Sequence, residues 1–135
     1  MKVLIIIPAY NEEESIEKVI NNLKQNYSQY DYVIINDGSH DHTSEICHKN
    51  KYKIIDLPVN LGLTGAFQTG LKYAYKKGYD YAIQFDADGQ HLPEYIPAMV
   101  DKIEEGYDMV IGSRFVEKPK PRSLRMLGSR VISVS

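Results

Sequence analysis

The strongest constraint on the fold of this chain is a regular alternation of two hydrophobic patterns. Five short runs rich in β-branched and aromatic residues alternate with stretches in which apolar residues recur every three or four positions. The five runs read KVLIIIPAY, YDYVIIND, YKIIDLP, YDYAIQFDAD and YDMVIGSR. Strands and helices that alternate in this way form βαβ units, whose right-handed crossovers build a mostly parallel sheet with helices on both faces. The sequence therefore predicts a Rossmann-like α/β fold.

The predicted helices have recognisable apolar faces and ends. Three such faces are formed by Ile16, Val19, Ile20 and Leu23, by Ala66, Phe67, Gly70, Leu71, Ala74 and Tyr75, and by Ile96, Met99, Val100 and Ile103. We expect Asp41 to cap a shorter helix and Pro93 to occupy a first helical turn. Gly78 and Gly106 follow the last turns of two helices, where glycine is a preferred residue.

Charge is unevenly distributed along the chain, although the formal net charge is only -2. Residues 1–116 contain 11 basic and 17 acidic side chains, whereas residues 117–135 contain five basic side chains and a single acidic one. An acidic body disfavours nonspecific binding to nucleic acid, which requires phosphate neutralisation over a whole face. We therefore expect no nucleic-acid partner, and we divide the chain into a folded core over 1–116 and a basic segment over 117–135.

Cysteine content and hydropathy indicate the compartment. The single cysteine, Cys47, cannot form an internal disulfide, and we expect it to pack in the core. No apolar run approaches the roughly 20 residues that span a bilayer, and the apolar N-terminal run lacks the small-residue cleavage site of a signal peptide. These features predict a cytoplasmic protein.

Polar residues and glycines follow the predicted strands at their carboxyl ends. The segments are PAYNEE, NDGSHD, NLGLTGA, DADGQH and GSR. Each of them alone fits an ordinary turn. In an open parallel sheet, however, ligands bind beyond the carboxyl ends of the strands, and these ends meet at one edge. The five segments together therefore predict a ligand site at that edge.

The stretch IQFDADGQ, residues 83–90, indicates what kind of ligand binds. Asp86 and Asp88 lie two positions apart at the end of a predicted strand, where like charges repel each other. A solvated turn is one interpretation. The other is a divalent cation, Mg²⁺ or Mn²⁺, held by both carboxylates with the side-chain oxygen of Gln90 as a third ligand. Such a cation would let an acidic edge bind a diphosphate, and the chain has neither a P-loop nor a G-x-G-x-x-G sequence to do so.

The five segments, in this order and spacing, resemble the inverting glycosyltransferases of family 2. The resemblance is greatest to the polyprenyl-phosphate branch, which is dolichol-phosphate mannosyltransferase-like, and it extends over essentially the whole chain. It implies a GT-A nucleotide-sugar binding fold over 1–116. It also implies transfer of a sugar, with inversion, from a UDP- or GDP-sugar to an acceptor such as a polyprenyl phosphate.

The resemblance further implies roles for individual residues. The positions that hold the nucleoside correspond to Pro8, Tyr10 and Glu12, and Asp37 faces the base. Asp86 and Asp88 hold metal and diphosphate, with Asp88 the catalytic member of the pair and Gln90 a further metal ligand. The positions that contact the acceptor phosphate correspond to Arg114, Arg125 and Ser129.

The identity of the acceptor is open at this point. A lipid phosphate is already ionised at neutral pH, so its transfer needs no strong general base, whereas a saccharide hydroxyl would need one. In the resembled family the region after the basic segment carries further acceptor residues, so the chain is expected to be truncated. A saccharide-hydroxyl acceptor and a non-catalytic nucleotide-sugar-binding role are therefore the alternatives.

The basic segment suggests two further expectations. Its apolar residues Leu124, Leu127, Val131 and Ile132 lie among cations, which is typical of an interfacial helix at a lipid surface or of half an amphipathic helix that packs on a partner. The first alternative predicts a peripheral position at the membrane. An uncovered apolar patch formed by Leu127, Val131 and Ile132 would favour a homo-oligomer.

Overall fold

The computed structural model describes residues 2–85 and Ala87 in full, together with the backbone alone of 109–112, 115–117 and 131–134. In chain order the elements are β1 (Val3–Ala9), α1 (Ile16–Asn26), β2 (Asp31–Asn36), α2 (Thr43–Lys49), β3 (Ile54–Asp56), α3 (Gly62–Lys76), β4 (Tyr81–Gln84), β5 (Met109–Gly112), β6 (Phe115–Glu117) and β7 (Val131–Val134). β1 to β5 lie within the five predicted runs, and the predicted alternation of strand and helix is confirmed as far as β4.

The strands form one sheet in the order β3-β2-β1-β4-β6-β5-β7. All neighbouring strands pair in parallel except β6, which is antiparallel to both β4 and β5. The prediction of a mostly parallel sheet is confirmed. The chain adds β2 and β3 on one side of β1 and β4 on the other. The carboxyl end of β1 therefore lies where the strand order reverses, which is the usual ligand position in such sheets.

β1 is buried on both faces, and this burial organises the core. All seven of its residues are buried. Ile5 and Ile7 pack on one side with the apolar face of α1 and with Cys47. Leu4 and Ile6 pack on the other side with the apolar face of α3. Because side chains alternate across a strand, a continuous apolar run is the pattern expected of a strand covered by helices on both faces.

The predicted helical faces are confirmed with one correction. In α1 all four predicted residues are buried, and in α3 five of the six are. Tyr75 is the exception, since 47% of its surface is exposed. It follows Ala74 directly, so the turn of about 100° per residue carries it away from the sheet. The third predicted face, from Ile96 to Ile103, lies outside the described residues.

Cys47 and two of the residues predicted at helix ends, Asp41 and Gly78, lie within the described part of the chain. Cys47 is fully buried, and this burial raises the pKa of its thiol to about 11, as expected of a core residue and not of a nucleophile. Asp41 accepts a hydrogen bond from the backbone N–H of Thr43, the first residue of α2, although the capping position itself is His42. Gly78 follows α3 with φ of 79°, as predicted. Pro93 and Gly106 lie outside the described residues.

The prediction of a helix through the basic segment is wrong at its end. Val131 and Ile132 lie in β7, which pairs in parallel with β5. Val131, Ile132 and Val134 are β-branched, a residue type that favours strands, and the edge of β5 supplies the backbone partners that the sequence pattern could not reveal. Leu124 and Leu127 lie outside the described residues. The homo-oligomer and the division of the chain at residue 116 stay predictions.

None of the helices in the described part of the chain has the combination of length and apolarity that crossing a membrane requires.

Close contact between α3 and β1 yields a test of the core. A Cβ atom at Gly70 would lie 2.4 Å from Cγ2 of the buried Ile6, which no real packing tolerates. We expect Gly70→Ala to lower the free energy of unfolding by about 1–3 kcal/mol, because overpacking outweighs the better helix propensity of alanine. In an Ile6→Ala background the same substitution should cost little, because the colliding atoms are gone. Urea unfolding of the four proteins measures this coupling. An equal cost in both backgrounds would contradict the packing argument.

Candidate nucleotide-binding site

A cavity of about 380 Å³ opens where β1, β2 and β4 end. It is lined by Pro8, Ala9, Tyr10, Glu12, Asp37, Asn60, Gly62, Leu63 and Ala87. The register of the sheet explains why these lining residues lie together. Ala9 pairs with Asn36, so the segments after β1 and β2 leave the sheet side by side. The backbone N–H of Asp37 then donates to the carbonyl of Ala9 at 2.8 Å.

Four of the sequence-predicted site residues meet in this cavity: Pro8, Tyr10, Glu12 and Asp37. The other six lie outside the described residues: Asp86, Asp88, Gln90, Arg114, Arg125 and Ser129. Within the described residues, no group of three or more His, Cys, Asp or Glu side chains is arranged to hold a metal ion. Ala87, which separates Asp86 from Asp88 in sequence, is 2% exposed and belongs to the cavity wall. The D-x-D segment therefore reaches the cavity through its central residue.

Asp37 is the buried carboxylate of the cavity wall, with only 4% of its surface exposed. Its Oδ1 accepts a hydrogen bond from the backbone N–H of Leu61 at 2.6 Å, and its Oδ2 accepts one from Nδ2 of Asn60 at 3.2 Å. The same Asn60 amide donates to the Asp37 carbonyl at 3.1 Å. Sequence reasoning assigned Asp37 to the base alone and missed this second role, which is to hold the start of α3 against the end of β2. A carboxylate has about four acceptor positions, so two bonds leave capacity for a ligand.

Gly38 allows the same two segments to approach closely. Its φ is 71°, in the left-handed region, and a Cβ there would lie 2.6 Å from the backbone nitrogen of Asn60. Only glycine combines that φ with that proximity without strain. The glycine of the NDGSHD segment is therefore required by packing between two loops, beyond the conformation of a turn.

The loops after β1 and β2 are joined by reciprocal hydrogen bonds between backbone N–H groups and side chains. They run from Asn11 N to Ser39 Oγ (2.9 Å), His40 N to Asn11 Oδ1 (2.8 Å), Glu12 N to Thr43 Oγ1 (2.9 Å), Glu13 N to Asp41 Oδ2 (3.2 Å) and His42 N to Glu13 Oε2 (3.1 Å). Asn11 adopts φ of 53°, which asparagine tolerates better than most residues. The polar residues of these loops thus fix the entrance of the cavity before any ligand arrives.

Two titratable groups of this network have shifted pKa values. Desolvation works to raise the pKa of Asp41, but hydrogen bonds from Thr43 and from the backbone N–H of Glu13 outweigh it and lower that pKa. The hydrogen bond to Glu13, at 2.9 Å from Nδ1, raises the pKa of His42. Both shifts favour the charged forms that the network uses.

A second network of polar side-chain contacts joins the ends of β2 and β3. Nδ2 of the buried Asn36 donates to Oδ1 of Asp56 at 2.8 Å, and Nε2 of His48 lies 2.7 Å from the other oxygen. Desolvation works to raise the pKa of Asp56, but hydrogen bonds from Asn36, His48 and Ser44 outweigh it and lower that pKa. The asparagine and aspartate at the strand ends could be identified from sequence, but their pairing across 20 positions could not.

Ser15 is a residue of this edge that sequence reasoning missed. Its Oγ lies 2.6 Å from the carbonyl oxygen of Ala87 and 2.9 Å from Oε2 of Glu12. In the sequence it appears only as a polar residue at a helix start. Its position directly before the apolar face of α1 could have drawn attention to it, because that position is typical of a capping residue.

Comparison with known proteins identifies the family. The family model described as glycosyl transferase family 2 matches residues 4–131. This chain belongs to glycosyltransferase family 2. The resemblance predicted from the five segments is confirmed.

Two curated members of family 2 illustrate the branch. The chain is 40% identical over 136 residues to the UDP-N-acetylglucosamine–dolichyl-phosphate N-acetylglucosaminyltransferase of Methanococcus voltae, with 87% of this chain and 53% of the relative covered. It is 32% identical over 136 residues to the undecaprenyl-phosphate mannosyltransferase of Micrococcus luteus, with 94% and 56% covered. The chain thus spans about half the length of these relatives. Their names place them in the polyprenyl-phosphate branch that the segments resemble.

A solved structure supports the fold. Glucosyl-3-phosphoglycerate synthase from Mycobacterium tuberculosis, in complex with Mn²⁺, UDP and glucosyl-3-phosphoglycerate, matches with a TM-score of 0.68 at 23% identity. The match covers 82% of this chain and 43% of that one. Together with the sheet order, it confirms the predicted GT-A fold.

The contact between Gly38 and the Asn60 backbone can be tested against a second glycine. Gly78 has φ of 79° but open space around its Cβ position, so Gly78→Ala isolates the strain of a positive φ, about 1–2 kcal/mol. Gly38→Ala should cost at least about 1 kcal/mol more, because it adds a backbone collision. Denaturant unfolding of both variants measures the difference. Equal losses of unfolding free energy in the two variants would show that the loops containing Gly38 and Asn60 can move apart without cost.

Proposed function

We propose that this chain binds a nucleoside diphosphate sugar and serves the transfer of the sugar, with inversion, to a polyprenyl phosphate. The observation that carries the proposal is the cavity at the carboxyl ends of β1, β2 and β4, whose lining joins Pro8, Tyr10, Glu12 and Asp37 to Ala87 of the D-x-D segment. Family membership and the names of the two relatives support the reaction class.

The lining of the cavity suits a nucleoside. Tyr10 and Leu63 are 43% and 55% exposed, so they offer a ring and an aliphatic surface to a flat base. Asp37 supplies a hydrogen-bond acceptor that is already oriented by Asn60 and Leu61. A carboxylate can accept from the ring N–H of uracil or guanine, whereas adenine and cytosine have no such proton. The proposed donor is therefore a UDP- or GDP-sugar.

The charge of the cavity favours a divalent cation as the partner of the diphosphate. Glu12 and Asp37 are acidic, and the described lining residues include neither lysine nor arginine. Asp86 and Asp88, with Gln90, are a set of hard oxygen ligands that fits Mg²⁺ or Mn²⁺. When bound, the cation would neutralise charge on the diphosphate leaving group as a Lewis acid. The M. tuberculosis synthase structure that contains both Mn²⁺ and UDP supports this ligand pair.

The proposed acceptor is the phosphate of a polyprenyl lipid. An ionised phosphate oxygen forms a bond to the anomeric carbon, the bond from that carbon to the diphosphate oxygen breaks, and the nucleoside diphosphate leaves with the electron pair. Because the nucleophile is already an anion, no general base is required. Arg114, Arg125 and Ser129 are proposed to contact the acceptor phosphate. A lipid acceptor would bring the protein to the surface of a membrane from the cytoplasmic side.

Metal-dependent nucleotide binding is the first test of this function. At a concentration of UDP or GDP 100 times its dissociation constant, we expect stabilisation by about 2.7 kcal/mol when Mn²⁺ or Mg²⁺ is present. In a chelator the effect should largely disappear, because acidic groups and diphosphate repel each other. Thermal-shift measurements on the whole chain give the result directly.

The same assay tests the assignment of the metal ligand. Asp88→Asn should reduce the stabilisation to the level seen in chelator while leaving the unliganded melting temperature nearly unchanged. Asp80→Asn is a matched control, since Asp80 is an exposed carboxylate just before β4, at the opposite end of that strand from the cavity. Stabilisation by nucleotide that is as large in chelator as in Mn²⁺ would refute the metal assignment.

Base preference is a separate test. UDP or GDP should bind at least about tenfold more tightly than ADP and CDP, because only uracil and guanine pair a ring N–H with Asp37. Competition against a fluorescent nucleotide measures the ratio. Tightest binding by ADP would contradict the proposed role of Asp37.

A further inference from the structure

Ser15 departs from the usual behaviour of its position. It is the residue that precedes α1, where a serine hydroxyl ordinarily accepts a hydrogen bond from a backbone N–H of the first turn. Here its side chain makes no capping bond. The turn is closed instead by the backbone, since Ser15 N and Ile16 N donate to the carbonyl of Glu12 at 3.1 and 2.9 Å. The hydroxyl of Ser15 is therefore available for another partner.

That partner is a backbone carbonyl 72 positions away. Ser15 Oγ lies 2.6 Å from the carbonyl oxygen of Ala87. A carbonyl only accepts, so the serine is the donor. The bond is short and spans the gap between α1 and the segment that follows β4. Ala87 is 2% exposed, so loss of this donor would leave a buried carbonyl without that bond, which is costly.

Ser15 also connects Ala87 to the loops on the other side of the cavity. Its Oγ lies 2.9 Å from Oε2 of Glu12, and Glu12 N donates to Oγ1 of Thr43 at 2.9 Å. Thr43 Oγ1 in turn donates to Oδ1 of Asp41. The Ser15 hydroxyl has a single proton, and the shorter contact assigns it to the Ala87 carbonyl. Ser15 thus links Ala87 to the loop after β1, and the bond from Glu12 N to Thr43 joins that loop to the start of α2.

We propose that Ser15 is a positioning residue for the predicted metal-binding segment. By donating to the carbonyl of Ala87, it holds in place the residue that separates Asp86 from Asp88 in the sequence. The inference rests on the proposed metal role of the two aspartates. A fixed backbone raises metal affinity because the ligands lose less freedom on binding.

The first measurement needs neither metal nor nucleotide. Hydrogen exchange of the unliganded chain, followed in peptides that cover residues 83–90, should be about fivefold faster in Ser15→Ala, the factor that corresponds to one net hydrogen bond. Ser15→Gly should behave in the same way, and it is well tolerated at a helix start if the alanine variant folds poorly. Ser15→Thr keeps the hydroxyl and should restore slow exchange.

The second measurement is a Mn²⁺ titration of the stabilisation produced by UDP and GDP. The Mn²⁺ concentration at half effect should rise about fivefold in Ser15→Ala and stay near wild type in Ser15→Thr. Residual nucleotide binding in chelator should not change, because the serine does not line the nucleoside cavity. A purely structural role would weaken both kinds of binding equally.

Thr69→Ala is the matched control. Thr69 Oγ1 also donates to a backbone carbonyl, that of Gly65 at 3.0 Å, but it lies within α3 and does not line the cavity. Its removal should leave both measurements unchanged.

If hydrogen exchange and the Mn²⁺ titration of Ser15→Ala are the same as those of the wild-type chain, the inference is overturned. Faster exchange without a change in the Mn²⁺ titration would overturn the link to the metal. If the wild-type chain shows no metal-dependent nucleotide binding at all, the proposed function fails, and the exchange data alone decide whether Ser15 anchors Ala87.

Discussion

The burial of β1 on both faces is the constraint on which the rest of the structure depends. A strand of seven buried residues must lie inside a sheet, with one helix layer on each side. Each fully buried aliphatic side chain contributes about 1.5–3 kcal/mol, so few alternatives to this arrangement compete. Once β1 is central, the segment after it, which contains Tyr10 and Glu12, must open between the ends of its two neighbours. The position of the cavity is therefore a consequence of hydrophobic packing far from any ligand.

Polar residues then determine how open that cavity is. Asp37 uses both carboxylate oxygens to hold Asn60 and Leu61, and Gly38 allows the two backbones to approach within contact distance. The loops after β1 and β2 are joined by five further bonds to side chains. Such preorganisation lowers the entropy lost on binding, because the loops need not be ordered by the ligand. Under the proposed function, residues remote from the reacting atoms would contribute to affinity in this way.

Local patterns predicted the parts of the fold that depend on local physics. The apolar run of β1 and the face from Ile16 to Leu23 could be identified because strand and helix have different periods. The clustering of Tyr10, Glu12 and Asp37 could be predicted because the carboxyl ends of parallel strands share an edge. Features that depend on distant partners could not be predicted. The strand at Val131–Val134 requires the free edge of β5, and the bond from Ser15 to Ala87 requires two segments 72 positions apart. The prediction that Tyr75 belongs to the buried face was wrong for a local reason. A ring at the border of a helical face is buried or exposed according to its exact angle around the helix axis.

The carboxylates at this end of the sheet differ in what they are able to do. Asp37, Asp41 and Asp56 each accept two or more hydrogen bonds from neighbouring protein groups. Their negative charge is offset by N–H and O–H dipoles, and for Asp41 and Asp56 these bonds lower the pKa. A carboxylate that is committed to loop geometry is a poor metal ligand, because coordination would compete with the bonds that hold the loop. Within the described residues, no three His, Cys, Asp or Glu side chains are grouped so that they could hold a metal ion. This agrees with the proposal that the cation is held by Asp86 and Asp88. Under that proposal, the acidic residues Glu12 and Asp37 of the cavity would repel a bare diphosphate more than one neutralised by a cation.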